Sequence, residues 1–279
     1  MRARASSVPA LVAASHPAPA VAVTTLAALL AVAADLGIAP GTLVTGVVLL
    51  GQLSIGWSND WLDATRDTAV GRRDKPVATG AVPALLVAHA ARAALLMALV
   101  TSTALGTRAA IAHTVLVGCG WAYNLGLKRS VWSWVPYALA FGLLPAVVTL
   151  SRTDASLPAP WAVAAGALLG VGAHLANVLP DLDDDRATGV RGLPHRLGGG
   201  GTGVLAPVVL LVASVVVVLG PPGRPSGLAL VGLAVAAALV VTAAVAATRG
   251  HTRLPFTAAM LVALVDVVLL IANGSAVLG

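Results

Sequence analysis

All eleven acidic residues of this 279-residue chain are Asp. Eight of them fall in two short stretches: Asp60, Asp63, Asp67 and Asp74, then Asp181, Asp183, Asp184 and Asp185. The first stretch reads Asn59-Asp60-Trp61-Leu62-Asp63-Ala64-Thr65-Arg66-Asp67. On a helix, steps of four residues set Asn59, Asp63 and Asp67 along one face, and the seven-residue step from Asp60 to Asp67 stays close to it. Stacked carboxylates repel one another by roughly 0.2–0.5 kcal/mol per pair. Such a stripe makes sense with a divalent cation on it. Short oxygen ligands suit magnesium, which keeps waters and shares itself with substrate phosphates. Asp60, Asp63, Asp67, Asp181 and Asp185 are the candidate metal ligands.

The second stretch repeats the first. Asn59, Asp63, Asp67, Ala69, Gly71, Arg73 and Pro76 recur 118 residues later as Asn177, Asp181, Asp185, Ala187, Gly189, Arg191 and Pro194, in the pattern N-x-x-x-D-x-x-x-D-x-A-x-G-x-R-x-x-P. Pro180 precedes the second set of acids and is placed to kink or open its helix there. Asp183 and Asp184 add negative density beside it. Two facing Asp stripes need cations between them, and a diphosphate bridging those cations would complete the charge balance. The alternative is a pair of solvated loops whose Asp and Arg pair with each other.

The neighbouring cations fit an anionic ligand. Arg66, Arg72, Arg73, Lys75, Arg186, Arg191 and Arg196 are placed to reach a phosphate, which Arg can grip with two parallel hydrogen bonds. Lys128, one of only two lysines, closes the run Tyr123-Asn124-Leu125-Gly126-Leu127-Lys128. A point charge there could stabilise a departing diphosphate, or the side chain could simply snorkel to the membrane surface.

These residues must be positioned by apolar helices. Hydrophobic residues make up 58% of the chain and charged ones 10%, with a mean hydropathy of +0.93, far from the roughly 25% charge of soluble domains. The apolar residues come in runs long enough to cross a bilayer, which takes about 20 helical residues. Runs bounded by Gly, Pro and charge predict nine spans, near 18–37, 42–60, 83–104, 108–126, 132–151, 160–180, 203–220, 226–247 and 254–274. Strands are excluded because barrel strands alternate in polarity rather than run apolar. The fold class is therefore all-α and polytopic. It is read as one domain over 1–279, in pseudo-repeat halves near 1–130 and 131–279. Four spans separate the two motif copies, so both face one side of the membrane, and parallel repeats place a shared site between them.

Thirteen of the seventeen Lys and Arg residues lie on the side of the N-terminus. By the positive-inside rule the N-terminus and both Asp loops are cytoplasmic in a cell membrane. Arg2 and Arg4 lead an apolar stretch that His16, Pro17 and Pro19 interrupt, so it is read as an uncleaved lead-in rather than a signal peptide. The net charge of +6 is explained by topology, and no nucleic-acid partner is expected. Cys119 is alone and can form no internal disulfide. Arg92 and Asp266 both fall within spans, where ionisable groups tend to pair; an ion pair between them is expected. His89, His113 and His174 read as packing residues.

Asn59-Asp60-x-x-Asp63-x-x-x-Asp67, followed by Lys75-Pro76-x-x-x-Gly80, Tyr123…Lys128 and Asp181-x-x-x-Asp185, resembles the UbiA superfamily of intramembrane prenyltransferases. The resemblance runs over about residues 15–275, in helix count, motif order and motif side. It implies nine helices around a central cavity and a prenyl diphosphate as substrate. Asp63, Asp67, Asp181 and Asp185 would hold Mg2+ on the diphosphate, Asn59 and Asn177 would orient it, and Lys128 would neutralise it. Arg72, Arg73, Lys75 and Arg191 are further substrate-binding candidates, and Tyr123 would face the carbocation or the acceptor. Metal-assisted loss of diphosphate leaves an allylic cation, which a water-poor cavity protects until an electron-rich acceptor attacks.

One departure bears on the acceptor. Benzoate-using members carry Arg-Pro near the first helix, where this chain has His16-Pro17, so the resemblance does not extend to a carboxylated aromatic acceptor. The leading expectation is transfer to a small acceptor, aromatic, quinone-precursor or other. A membrane terpene cyclase of the same type is one alternative. A non-enzymatic transporter or lipid-binding protein is another, although its polar groups should lie deep in the bilayer rather than at helix ends. A phospholipid-synthesising phosphotransferase would show a D-G-x-x-A-R core that is not present. Oligomeric state, prenyl length and acceptor identity are left open.

Overall fold

The computed structural model describes residues 7–187, 189–249 and 253–272, with the backbone alone for Ser7, Asp183, Asp184, Thr248 and Arg253. Arg2, Arg4 and the side chains of Asp183, Asp184 and Arg253, all used in the sequence reading, lie outside the described residues. The chain runs through α1 (Ser7–Ala14), α2 (Pro17–Ala33), α3 (Ile38–Ala69), α4 (Ala84–Ser102), α5 (Thr107–Leu125) and α6 (Val135–Thr149). It continues through α7 (Pro160–Val178), α8 (Leu182–Ala187), α9 (Leu193–Leu219), α10 (Gly227–Thr248) and α11 (Arg253–Ala272).

Each of the nine predicted segments is helical, as α2 to α7 and α9 to α11. By length and apolar composition six of them can cross a bilayer alone, and α1 with α2, bent by 65°, makes a seventh. Of the remaining two, α6 is apolar but only 15 residues long, and α5 is diluted by Arg108, His113, Tyr123 and Asn124. Length and composition thus support six to seven crossings, fewer than the nine predicted.

The helix that carries the first Asp stripe is unusually long. At about 1.5 Å per residue, the 32 residues of α3 span about 48 Å, against a hydrocarbon core of about 30 Å. It is longer than a single crossing needs, and its last turns carry Asp60, Asp63 and Asp67. Short α1 braces this end: the Trp57 indole donates to the Leu11 carbonyl at 2.8 Å, and a side chain at Gly56 would collide with the Ser15 backbone. His16, at φ 54°, makes the bend between α1 and α2.

Close backbone approach also sets α6 on α7. Gly166 and Gly170, one turn apart on α7, leave no room for a Cβ against the backbone of Phe141 and Tyr137. This small-xxx-small contact is how helices pack in lipid, where apolar burial supplies little drive between them. The larger buried cluster joins α2, α3, α5 and α6 to residues of α7, α9, α10 and α11, such as Ala162, Val217, Ala229 and Leu270, and a second joins α7, α9, α10 and α11 alone.

The expected Arg92–Asp266 pair does not form. Arg92 sits 4.5 Å over the Trp61 ring, a cation–π contact, whereas Asp266 accepts a hydrogen bond from the Ser214 hydroxyl. The reason is helix order: α4 packs on α3 and α5, while α11 packs on α7, α9 and α10.

Candidate active site

Both copies of the motif end their helices in the same way. The Arg72 amide donates to the Asp67 carbonyl (3.0 Å) and the Gly71 amide to Thr68 (3.2 Å); Val190 donates to Asp185 (2.9 Å) and Gly189 to Arg186 (3.1 Å). These are paired Schellman caps, which need a left-handed residue after the helix. Gly71 (φ 70°) and Gly189 (φ 80°) supply it. The repeated Ala-x-Gly is therefore a helix stop that fixes where the acids end. In the first copy the helix reaches that stop unbroken. In the second, Pro180 lies in a 3-10 turn, Leu179–Asp181, between α7 and α8.

One cavity of about 440 Å3 receives side chains from both copies. Asn59, Asp63, Arg66, Arg72, Asp74, Lys75, Tyr123, Asn124, Lys128, Asn177, Asp181 and Asp185 form its polar end. Val23, Leu116, Ala140 and Phe141 are among the apolar residues of its wall. Asp63 is the hub. Both its oxygens lie 2.5 Å from Lys128 Nζ, one takes Arg66 Nη2 at 3.1 Å, and Asn59 donates at 3.3 Å. Lys128 is buried, and desolvation lowers its pKa, opposed in part by Asp63. Asn59 Nδ2 also donates to Asn124 Oδ1 (3.2 Å), and the Asn124 amide in turn donates to Ser58 and the Ile55 carbonyl.

Arginines cross between the two acid sets. Arg66 reaches Asp63, Asp67 (3.2 Å) and Asp185 (3.6 Å). Arg72 grips Asp74 with two bonds of 2.8 Å and lies 3.4 Å from Asp181. That grip pulls the Asp74 carboxyl down to about 2 and raises the Arg72 guanidinium above its ordinary value. The cations that facing carboxylates require are thus partly the motif's own side chains.

Six predicted residues do not line the cavity. Asp60 turns to Lys75 (3.5 Å) and the Val77 amide (3.3 Å). Asp67, behind Arg66, is buried. Arg73 is exposed. Arg186, Arg191 and Arg196 line a separate pocket. Lys75 does line the cavity, hydrogen-bonded to His16 Nε2 at 2.8 Å.

Sequence reasoning missed the aromatic group beneath the acids. Tyr123 meets Tyr137 edge-on at 5.2 Å, Tyr137 stacks on Phe141 at 6.4 Å, and His174 lies 4.9 Å from Tyr137. Asn177 lies beside Tyr137, and His174 shares a 3.0 Å bond with Ser133. The one available signal was scarcity: the chain has two Tyr and two Phe, and three of those four gather here.

The donor set fits a hard divalent ion shared with a substrate. Among the described residues no three Asp, Cys or His groups converge to hold an ion unaided. The lining carries four cations, Arg66, Arg72, Lys75 and Lys128, against four carboxylates, Asp63, Asp74, Asp181 and Asp185. Asp67 Oδ2 is buried without a hydrogen-bond partner. A neutral lining with oxygen donors to spare suits magnesium, which needs only one or two protein carboxylates when phosphate completes its shell.

The family model for the UbiA prenyltransferase family matches residues 21–274. This chain belongs to that family. As a UbiA-family protein it is an integral, multi-pass membrane protein. It is 33% identical over 193 residues to the bacteriochlorophyll synthase 33 kDa chain of Rhodobacter capsulatus, covering 64% of this chain and 62% of that one. The Cereibacter sphaeroides protein of the same name is 33% identical over 199 residues, covering 66% and 65%. The match thus spans under two thirds of either curated relative. Among solved structures, digeranylgeranylglyceryl phosphate synthase superposes with a TM-score of 0.72 at 13% identity, covering 97% of this chain and 99% of that one. A UbiA homologue from Archaeoglobus fulgidus bound to GPP and Mg2+ gives 0.68 at 18%, covering 96% and 99%. These likenesses establish the UbiA fold.

Proposed function

We propose that this UbiA-family protein transfers a prenyl group from a prenyl diphosphate to a small acceptor, with Mg2+, in the cavity between its two Asp motifs. The observation that carries the reading is the division of that cavity. Its one end holds carboxylates from both repeats with four cations, and its other end is apolar and aromatic. A diphosphate ester has the same division. Because the lining charges cancel, a multiply negative diphosphate gains little net attraction from the protein alone, and a divalent ion supplies the missing charge. The A. fulgidus relatives hold GPP or DMAPP with Mg2+, which supports the same assignment here.

Asp63, Asp181 and Asp185 line the cavity and, with Asp67, would hold the metal, which supplies Lewis-acid neutralisation of the leaving group. Asn59 and Asn177 are placed to orient the diphosphate. Lys128, pinned by Asp63, presents an ammonium to the leaving oxygen and stabilises the charge that develops as the C–O bond breaks. Arg66 and Arg72 are placed to exchange a carboxylate for a phosphate oxygen as the ligand enters. Tyr123, Tyr137 and Phe141 put ring faces beside the allylic cation, an interaction worth about 2 kcal/mol where water is excluded. The acceptor attacks from the apolar end, and the proton it loses as the new bond forms leaves with the released diphosphate. Residues 1–279 are read as one domain, with the site on the cytoplasmic side where the basic loops gather.

The test is diphosphate release by purified protein, given geranyl, farnesyl or geranylgeranyl diphosphate, with aromatic, quinone-precursor and bacteriochlorophyll-type acceptors. Release should need both acceptor and Mg2+ and should stop on chelation. A hydrocarbon or terpene alcohol from the donor alone would instead indicate a cyclase. Wild-type release by Asp63→Ala or Asp181→Ala would remove these motifs from catalysis.

A further inference from the structure

Ser133 stands where three parts of the molecule meet. It lies in the connection between α5 and α6, five residues after Lys128, and is fully buried. Its Oγ accepts the Leu193 amide at 3.1 Å and lies 3.0 Å from His174 Nε2. Leu193 opens α9, just past the Gly189 stop of the second Asp motif, and His174 belongs to α7. Gly192 makes the approach possible: a Cβ there would come within 2.8 Å of Ser133 Oγ and 2.7 Å of the Lys128 carbonyl oxygen. The matching place in the first motif, 118 residues earlier, holds Asp74, so the two copies part here. His174 is 1% exposed and does not line the central cavity. It backs the two tyrosines that do, with its ring 4.9 Å from Tyr137 and 5.7 Å from Tyr123. Its Nδ1 is buried without a hydrogen-bond partner, so among the described residues Ser133 is what holds this imidazole by a hydrogen bond.

We propose that Ser133 is a positioning residue, which sets His174, and through it the Tyr123 and Tyr137 rings, in register with the second Asp motif. A serine hydroxyl has one proton to give and two lone pairs to offer. With the Leu193 N–H on one lone pair, the proton is free for His174 Nε2, so one oxygen serves both partners. Removing that oxygen leaves the Leu193 amide and the imidazole unpaired, and the ring gains by turning away from the tyrosines. The consequence for catalysis rests on the prenyl-transfer reading. Displaced tyrosine rings no longer shield the allylic cation, and water adds to it, giving a prenyl alcohol and a proton.

The chain has two tyrosines, so 3-fluorotyrosine incorporated into the full chain gives one fluorine resonance for each, a readout that needs no activity. Ser133→Ala should shift or broaden both, Tyr137 the more because it lies closer to His174. His174→Phe, which leaves the Leu193 bond intact, should do the same, and the double variant should add little to either single change, as coupled neighbours do. With geranyl diphosphate and acceptor, Ser133→Ala should lower kcat about 10- to 100-fold with donor KM unchanged, the order of loss that a small misplacement causes. The share of prenyl alcohol among the products should rise. A cooperative thermal transition shows that a variant is folded; if Ser133→Ala is not, His174→Phe carries the same expectations. Fluorine resonances at their wild-type positions in the single variants would overturn the proposal, as would a wild-type kcat and product ratio. A wild-type protein that consumes no prenyl diphosphate would end the prenyl-transfer reading instead, and the fluorine spectra would still decide the role of Ser133.

Discussion

The two copies of the Asp motif end in the same Schellman cap, yet their acids live in different surroundings. In the first copy, Asp60, Asp63 and Asp67 ride one unbroken helix and are 1–3% exposed. Asp63 is gripped by Lys128, Arg66 and Asn59. In the second, Pro180 replaces the helix with a 3-10 turn. The Asp181 side chain is 44% exposed, and among the described residues its ion pair is with Arg72 of the first copy. Asn177 lines the same cavity and lies beside Tyr137. A shared pattern has therefore become a rigid anchor and a more yielding partner. A site that must admit and release a charged ligand gains from that inequality, because the elements that move come from the less stable parts of a structure.

The largest expected effect tests this inequality directly. Asp63→Ala should lower diphosphate release about 10³-fold and Asp181→Ala about 10²-fold, the range seen when one electrostatic stabiliser is removed. Equal losses would break the distinction. Asp63→Ala should also destabilise the protein by about 3–5 kcal/mol, because it strands a buried Lys128, and adding Lys128→Met should restore most of the loss. A thermal shift assay on the single and double variants checks the recovery.

Exchanging the helix break comes next. Leu62 occupies the place in α3 that Pro180 holds after α7. Leu62→Pro should cost about 3 kcal/mol or more, from a lost hydrogen bond and a ring clash. Pro180→Leu should leave the melting temperature nearly unchanged but lower activity about ten-fold by redirecting Asp181 and Asp185. A large melting shift for Pro180→Leu would mean that the break is structural rather than functional.

Smaller effects sharpen the likeness between the copies. Gly71→Ala and Gly189→Ala should each cost about 1–2 kcal/mol, since both caps need a left-handed residue. Unequal melting shifts would show that one cap matters less. The smallest effect is at Asp74. Its carboxyl titrates near 2 in the folded chain against an ordinary 3.8, so the stability gained from Arg72 is present above about pH 4 and fades as pH falls through about 2. The Asp74 side chain is 61% exposed, so solvent screening keeps the gain small. Melting curves of wild type and Asp74→Asn should converge toward pH 2.

Much of the site could be read in the chain because its signals are local. Asn59, Asp63 and Asp67 share a helix face through spacing alone, and their recurrence 118 residues on marks a second contribution to one place. The glycine stops and Pro180 act within a turn of their own positions, so their consequences could also be anticipated. Asp60 shows where this logic fails. It is on nearly the same stripe as Asp67, yet Lys75 and the Val77 amide draw it away from the cavity.

The sequence by itself determined an all-helical membrane chain, the helical positions, the two acid clusters and the family they resemble. Each of these follows from polarity and short-range periodicity. Only the tertiary structure decided that Arg66 ties the two clusters together, that Tyr137 and Phe141 lie beneath them, and that Arg92 stacks on Trp61 instead of pairing with Asp266. Those contacts depend on which helices touch. In lipid that choice is made by close backbone fit, such as Gly166 and Gly170 against α6, and a one-dimensional pattern of polar and apolar residues does not encode it.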